Sequence, residues 1–139
     1  MTSKKVFITR SAFFAFIDRS DPKHRMSGAF FRFFAQDGFH LYTTPSVITD
    51  TYHQIQSSMS HAIAREYLQT VFTSAIDVLY VDEATLKTAV KLVITTTSAN
   101  LTIDQAITNI ICDKSQIPAI CTFEYFPFFF GIHSFVLPN

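Results

Sequence analysis

The sequence has no tryptophan, three glycines and two cysteines, and each shortage closes off a class of function. Gly28, Gly38 and Gly131 stand too far apart to build a phosphate-cradling loop. Neither G-x-G-x-x-G nor G-x-x-x-x-G-K-[ST] occurs, which removes the dinucleotide-binding and P-loop readings. No G-x-S-x-G occurs either, so there is no serine-hydrolase elbow. Cys112 and Cys121 have no C-x-x-C spacing and no His pair beside them. Neither a zinc site nor a disulfide scaffold is indicated, and both read as buried thiols.

Charge is scarce as well. Charged residues make up 16% of the chain, against about a quarter in an ordinary soluble domain. The formal net charge is zero, which argues against a strongly basic nucleic-acid binder. The distribution is uneven: Lys4, Lys5, Arg10, Arg19, Lys23 and Arg25 face only Asp18 and Asp21 near the amino end, and the remainder is acidic. A basic end beside an acidic remainder can orient a polyanion, although helix capping and solubility explain such an imbalance equally well.

No apolar run approaches the roughly 20 residues of a membrane span, and the most apolar tail is broken by Glu124, Pro127 and His133. The amino terminus makes a poor signal peptide. The expectation is a soluble, cytoplasmic protein. A length of 139 residues points to a single domain over 1–139 with a real core.

What the sequence does hold is phenylalanine, 16 of them, in runs such as Phe30-Phe31 with Phe33-Phe34, and Phe126 with Phe128 to Phe130. They make either a Phe-rich core or an exposed patch that docks another chain.

Apolar, β-branched runs alternate with amphipathic ones. Strands are expected at Lys5–Thr9, Phe39–Thr44, Asp77–Val81, Ala119–Phe123 and Ser134–Leu137. A helix capped by Ser11 follows the first strand, and a second runs from Pro22 to Gln36, where Asp37-Gly38 stops it. Pro45 opens a helix with Val47, Ile48, Thr51, Tyr52 and Ile55 as its apolar stripe. Further helices run from Ser60 to Phe72, from an Asp82 cap through Val93, and from Leu101 to Gln116. Thr95 to Asn100, with Thr96, Thr97 and Ser98, form a hydroxyl-rich loop. Short strands alternating with one or two helices predict a three-layer α/β/α fold around a mostly parallel sheet of four to five strands.

In open parallel sheets, ligands gather at the carboxyl ends of the strands. Asp50 follows the second strand, Asp104 opens the helix before the fourth, and Glu124 lies just beyond the fourth. Three carboxylates gathered there repel one another unless a cation joins them, and Mg²⁺ or Mn²⁺ is the usual solution. Spacing alone leaves open that these are ordinary surface and capping residues.

The wording around them narrows the choice. The stretches "VFITRSAFFAFIDRSDPKH", "LYTTPSVITDTYHQI", "LTIDQAITNIICDKSQIPAICTFEYF" and the closing "VLP" together resemble the PIN-domain family, and most closely VapC-like ribonucleases of prokaryotic toxin-antitoxin pairs. The resemblance spans nearly the whole chain in the right order. It implies a PIN-like fold, Mg²⁺- or Mn²⁺-dependent cleavage of RNA, and four acidic positions that fall on Thr9, Asp50, Asp104 and Glu124. Ser11 matches a small hydroxyl residue found two places after the first of them. It implies metal ligation by Asp50, Asp104 and Glu124, with Glu124 as an outer ligand or water-orienting group, and a metal-activated water as attacking group.

Thr9 is the departure from the pattern, since a neutral hydroxyl replaces a central carboxylate ligand. Arg10 beside it is expected either to stay solvated or to fold toward Asp104 as a substitute for the cation. Two readings follow: a working or weakened metal-dependent ribonuclease, or a degenerate PIN domain that binds RNA or protein without cutting. The resemblance also implies a homodimer and an antitoxin that lays an apolar segment and a basic residue into the site groove, with the Phe-rich second helix as part of that groove.

Other residues invite weaker readings. Asp50 and His53 form a D-x-x-H pair, but no further His or Cys completes a transition-metal site. His61 and Arg65 share a helix face that is either solvated or able to touch phosphate. Tyr42 and Tyr52 fit base stacking and burial equally. Lys4, Lys5, Arg19, Lys23 and Arg25 are the candidate RNA contacts.

Overall fold

A computed structural model of the chain describes residues 3–97 and 100–138. In chain order the elements are β1 (Lys5–Ile8), α1 (Arg10–Ile17), α2 (His24–Gln36), β2 (His40–Thr43), α3 (Pro45–Ser58), α4 (His61–Thr73), β3 (Asp77–Val78), α5 (Glu83–Thr95), α6 (Ile103–Lys114), β4 (Ala119–Cys121) and β5 (His133–Ser134). Ser98, in the expected hydroxyl-rich loop, lies outside the described residues.

The five strands form one sheet in the order β3-β2-β1-β4-β5, and every pairing is parallel. Parallel strands covered on both faces read as continuous apolar runs, and β1 is buried from Val6 through Ile8. The pleat sends its side chains alternately to two cores. Val6 and Ile8, with Ala119 and Cys121 of β4, join the cluster under α1 to α4. Phe7 and Ile120 point the other way, to a cluster that includes Cys112 of α6. α5 and α6 close that side through Ala89, Ala106, Ile107, Ile110 and Ile111. The result is the three-layer α/β/α arrangement expected from the sequence, with a sheet that is wholly parallel.

Several boundaries differ from expectation. β3 stops at Val78, β4 at Cys121, and β5 sits at His133–Ser134, one step before the run "SFVL". Phe135 instead follows β5, donating its amide to the Ile120 carbonyl while its ring serves as a packing post. The rings of Phe30, Phe33, Phe34 and Phe39 stand 4.7 to 5.9 Å from it, centroid to centroid. Most of the Phe-rich second helix is therefore core, and the exposed phenylalanines, Phe16, Phe72 and Phe130, lie outside that helix. Phe34 is 1% exposed at the centre of this group, so truncating it to Ala costs about 3–5 kcal/mol.

Local signals set the helix ends. Gly38 takes a φ of +72°, which lets Phe39 N return to Phe34 O and closes α2. Thr44, with Pro45 at the first helical position, caps α3, Ser60 caps α4 and Asp82 caps α5. Thr102 and Gln105 form a reciprocal capping box on α6. Ser11 is not a cap, contrary to expectation: Thr9 holds that place, and Ser11 lies inside α1. α2 begins at His24 rather than Pro22, because residues 21–23 form a turn in which Asp21 Oδ1 accepts from Lys23 N. Among the described residues, no helix is long and apolar enough to cross a membrane.

Candidate active site

The strand order reverses beside β1: the chain steps from β1 to β2 and β3 on one side, and later to β4 and β5 on the other. A crevice opens at such a switch point, outside the carboxyl ends of the central strands. The segments leaving β1 and β4 deliver Thr9, Arg10 and Glu124 to it, α3 brings Asp50, and the first turn of α6 brings Asp104. All five line one cleft of about 420 Å³, which Tyr125 and Phe126 also border. Thr9 and the three carboxylates picked out in the sequence thus line one cleft, although they come from four separate segments.

Asp104 is exposed along one side, yet desolvation of its carboxyl at the cleft and, after it, the nearby charge of Asp50 raise that carboxyl above the ordinary Asp range, and a hydrogen bond from Ser46 only partly offsets this. A cation beside Asp104 would offset the charge of Asp50 that acts on it.

Glu124 is already engaged. Arg10 Nη2 donates to Glu124 Oε2 at 3.0 Å, and Arg10 Nη1 donates to Gln54 Oε1 at 2.6 Å. The expectation that Arg10 folds onto Asp104 is corrected: its guanidinium spans the mouth of the cleft from α3 to the segment after β4. Gln54 stands one turn beyond Asp50 on α3, which is why it can meet the fork.

Thr9 is 4% exposed, and its hydroxyl donates to Cys121 O at 2.9 Å. It also lies 3.2 Å from Ser11 Oγ, which in turn lies 3.2 Å from Thr122 Oγ1 and accepts from Phe123 N at 2.9 Å. This hydroxyl chain fastens the end of β1 to the end of β4. Ser11 works there as a brace behind the cleft and is not among its lining residues.

The loop that carries Glu124, Tyr125 and Phe126 is pinned by Asn109, a fully buried residue on α6. Its amide donates to Gln105 O and Pro127 O and accepts from Phe129 N, each at 2.9 Å. Gln105 Nε2 adds a bond to Tyr125 O at 3.0 Å. Sequence reading overlooked Asn109 and Gln54. The T-x-x-Q spacing of Thr102 and Gln105 was the signal that could have marked Gln105.

The basic residues expected to touch RNA are elsewhere. Lys4 and Lys5 sit at the amino end of β1, where Lys4 meets Asp37 and Lys5 donates to Ser115 O. None of Lys4, Lys5, Arg19, Lys23 and Arg25 lines the cleft. His53 is exposed and gathers no metal set with Asp50. His61 Nδ1 lies within hydrogen-bond reach of Tyr52 Oη and Gln56 Nε2.

A second cavity of about 350 Å³ opens between α1, α2 and α4, lined by Phe13, Phe31, Phe34 and Tyr67 among others. Among the described residues its lining carries no charged side chain, and no residue of α2 lines the cleft that holds the carboxylates, so the expectation that the Phe-rich helix forms part of the site groove is corrected.

Among the described residues, no group of three or more His, Cys, Asp or Glu side chains is gathered tightly enough to hold a metal ion. The donor set that remains is Asp50 with Asp104. That pair suits Mg²⁺, which is commonly held by one or two carboxylates with water and substrate phosphate completing the shell. The fit is to a thinly held ion and not to a closed cage.

The crystal structure of VapC20 from Mycobacterium tuberculosis, a sarcin-ricin loop cleaving toxin, matches this chain with a TM-score of 0.76 and 16% sequence identity, over 86% of this chain and 89% of that one. The fold is a VapC-like PIN fold. No family model matches the sequence, and no curated protein matches it significantly.

Proposed function

We propose that this protein is a metal-dependent endoribonuclease of the VapC type, working from a reduced acidic site. The observation that carries the reading is that Asp50 and Asp104 line one cleft at the sheet's switch point, where desolvation and then the charge of Asp50 raise the Asp104 carboxyl. Asp50 and Asp104 hold the cation, Mg²⁺ or Mn²⁺, in this reading. When bound, that ion supplies positive charge for a phosphodiester and a water acidic enough to attack it. Glu124, held by Arg10 at the rim, orients water on the side away from α3. Thr9, Ser11 and Thr122 keep the two strand ends in fixed register, so that the carboxylates stay placed. Tyr125 and Phe126 border the cleft where nucleotide bases would lie.

A cleft with three carboxylates against one arginine repels an RNA backbone until a cation reverses the local sign. This supports metal and RNA as joint partners. The apolar cavity beside α2 supports an antitoxin segment as a further partner, since Phe31, Phe34 and Ala35 of the Phe-rich helix line it. Leu86, Val90 and Ile94 lie at helical spacing on α5, 45%, 41% and 72% exposed, and support a homodimer. A cytoplasmic, single-domain protein fits the same reading.

The second reading, a degenerate PIN domain that binds without cutting, draws on the Arg10–Glu124 pair and the neutral Thr9. In that case the acidic cleft suits a basic protein segment better than RNA. Incubation of total RNA with Mn²⁺, followed by sequencing of new 5′ ends, separates the two. The expected result is cleavage at a defined set of sites that disappears with chelator and in Asp104→Asn. Identical end profiles from wild type and Asp104→Asn would leave the binding-module reading in place.

A further inference from the structure

Among the described residues, Arg10 is the only cation lining the cleft, and its partners come from two separate segments. Gln54 on α3 takes one end of the guanidinium at 2.6 Å, and Glu124 beyond β4 takes the other at 3.0 Å. Arg10 is the first residue of α1, directly after the Thr9 cap, so its backbone is fixed by the same hydroxyl chain that joins β1 to β4. The side chains of Arg10 and Glu124 remain 38% and 41% exposed. An ion pair at that exposure is weak enough to be exchanged for a stronger partner.

From this arrangement we infer that Arg10 is an internal competitor of the cleft's cation: it withholds Glu124 from Asp50 and Asp104 and keeps the site at two carboxylates. The inference rests on the reading of the cleft as a cation site. With Arg10 neutralised, Glu124 is free to turn inward and serve as a third carboxylate. The guanidinium also repels a divalent ion directly, so its loss acts in the same direction. Arg10 is a positioning residue in this scheme, acting through Glu124, and it sets how tightly the site is held before substrate arrives.

The test is a calorimetric titration of the full chain with Mn²⁺, comparing wild type with Arg10→Gln, Arg10→Lys, Glu124→Gln and the Arg10→Gln/Glu124→Gln double variant. Arg10→Gln is expected to bind about three- to tenfold more tightly than wild type, the range set by a half-exposed ion pair together with one nearby repulsive charge. Arg10→Lys keeps the charge and is expected to stay close to wild type. Glu124→Gln alone is expected to give no gain, and to remove most of the gain in the double variant. Because the pair is half-exposed, all four proteins are expected to unfold within a few degrees of wild type.

Arg10→Gln binding no more tightly than wild type overturns the inference, as does a gain that survives undiminished in the double variant. Binding by none of the five proteins overturns it too, since a freed Glu124 should complete the site. An Asp104→Asn control separates this from the reading beneath it. If Asp104→Asn binds as wild type does, the assignment of the cation to Asp50 and Asp104 is what fails.

Discussion

Thr9 Oγ1 donates to the Cys121 carbonyl at 2.9 Å, and the Thr9 amide donates to the same oxygen at 3.2 Å. The residue in the first acidic position of the PIN pattern therefore spends its hydroxyl on the neighbouring strand. It fastens two strand ends on which the cleft is built, and in the proposed reading the chemistry falls to Asp50, Asp104 and Glu124.

Replacing Thr9 tests that division. Thr9→Val keeps the shape and removes the hydroxyl's bonds to Cys121 O and Ser11 Oγ, while Cys121 O retains the Thr9 amide, so it is expected to cost about 1–2 kcal/mol. Thr9→Asp places a buried carboxylate beside a carbonyl and two other acids, and is expected to cost about 2–3 kcal/mol in metal-free protein. Added Mn²⁺ is expected to recover much of the second loss and none of the first, as read from denaturant unfolding with and without the ion.

Asp104 gives a stability signature in pH. Its folded-state pKa is raised by burial and by Asp50, so the unfolded chain loses its proton at lower pH than the folded one. The folded state is penalised above the folded pKa, and the penalty fades as pH falls toward the ordinary Asp value. Asp104→Asn is therefore expected to raise the thermal midpoint of metal-free protein at neutral pH, with the advantage shrinking in mild acid. Scans from pH 7 down to about pH 4 check it, and a constant difference at every pH would contradict it.

Asn109 should matter out of proportion to its size. Asn109→Ala leaves Pro127 O and Phe129 N without their partner inside the fold, a loss of at least about 2 kcal/mol. The same change loosens the loop bearing Tyr125 and Phe126. Amide hydrogen exchange is expected to rise across residues 124–130 before it rises in β1.

The two cysteines are expected to be silent toward thiol reagents in the folded protein. Both are buried, and burial pushes the Cys121 thiol up to about 12 and Cys112 higher still, so almost no thiolate exists at neutral pH. Both should react at once in denaturant. Rapid labelling of Cys121 without denaturant would show that the β1–β4 junction opens.

Much of this was legible in the sequence because the signals were local. The run from Val6 to Ile8, the Asp37-Gly38 stop, the Pro45 start and the Asp82 cap each fix their element without help from distant residues. Strand ends were less legible. "DVLYV" has the composition of a strand, yet its register with β2 ends at Val78, with one further amide bond from Leu79 to Thr43 O, since pairing is decided by the neighbour. The site divides in the same way. Asp50, Asp104 and Glu124 could be placed by their positions after strands and at a helix start, which topology brings together. The direction of the Arg10 side chain could not be read, because it depends on Gln54, 44 residues away, and on the loop that Asn109 holds from beneath. The placement of Lys4 and Lys5 at the amino edge follows from strand direction alone and was there to be read.

In the proposed reading Asp50 and Asp104 hold a divalent cation without an acid at position 9. The decisive experiment is a calorimetric titration of metal-stripped protein with Mn²⁺, beside Asp104→Asn and Thr9→Asp. Saturable binding by the wild type is expected, with its loss in Asp104→Asn and tighter binding by Thr9→Asp. Binding by Thr9→Asp alone, with a wild type that takes up no ion, would contradict it and leave the cleft as a docking surface.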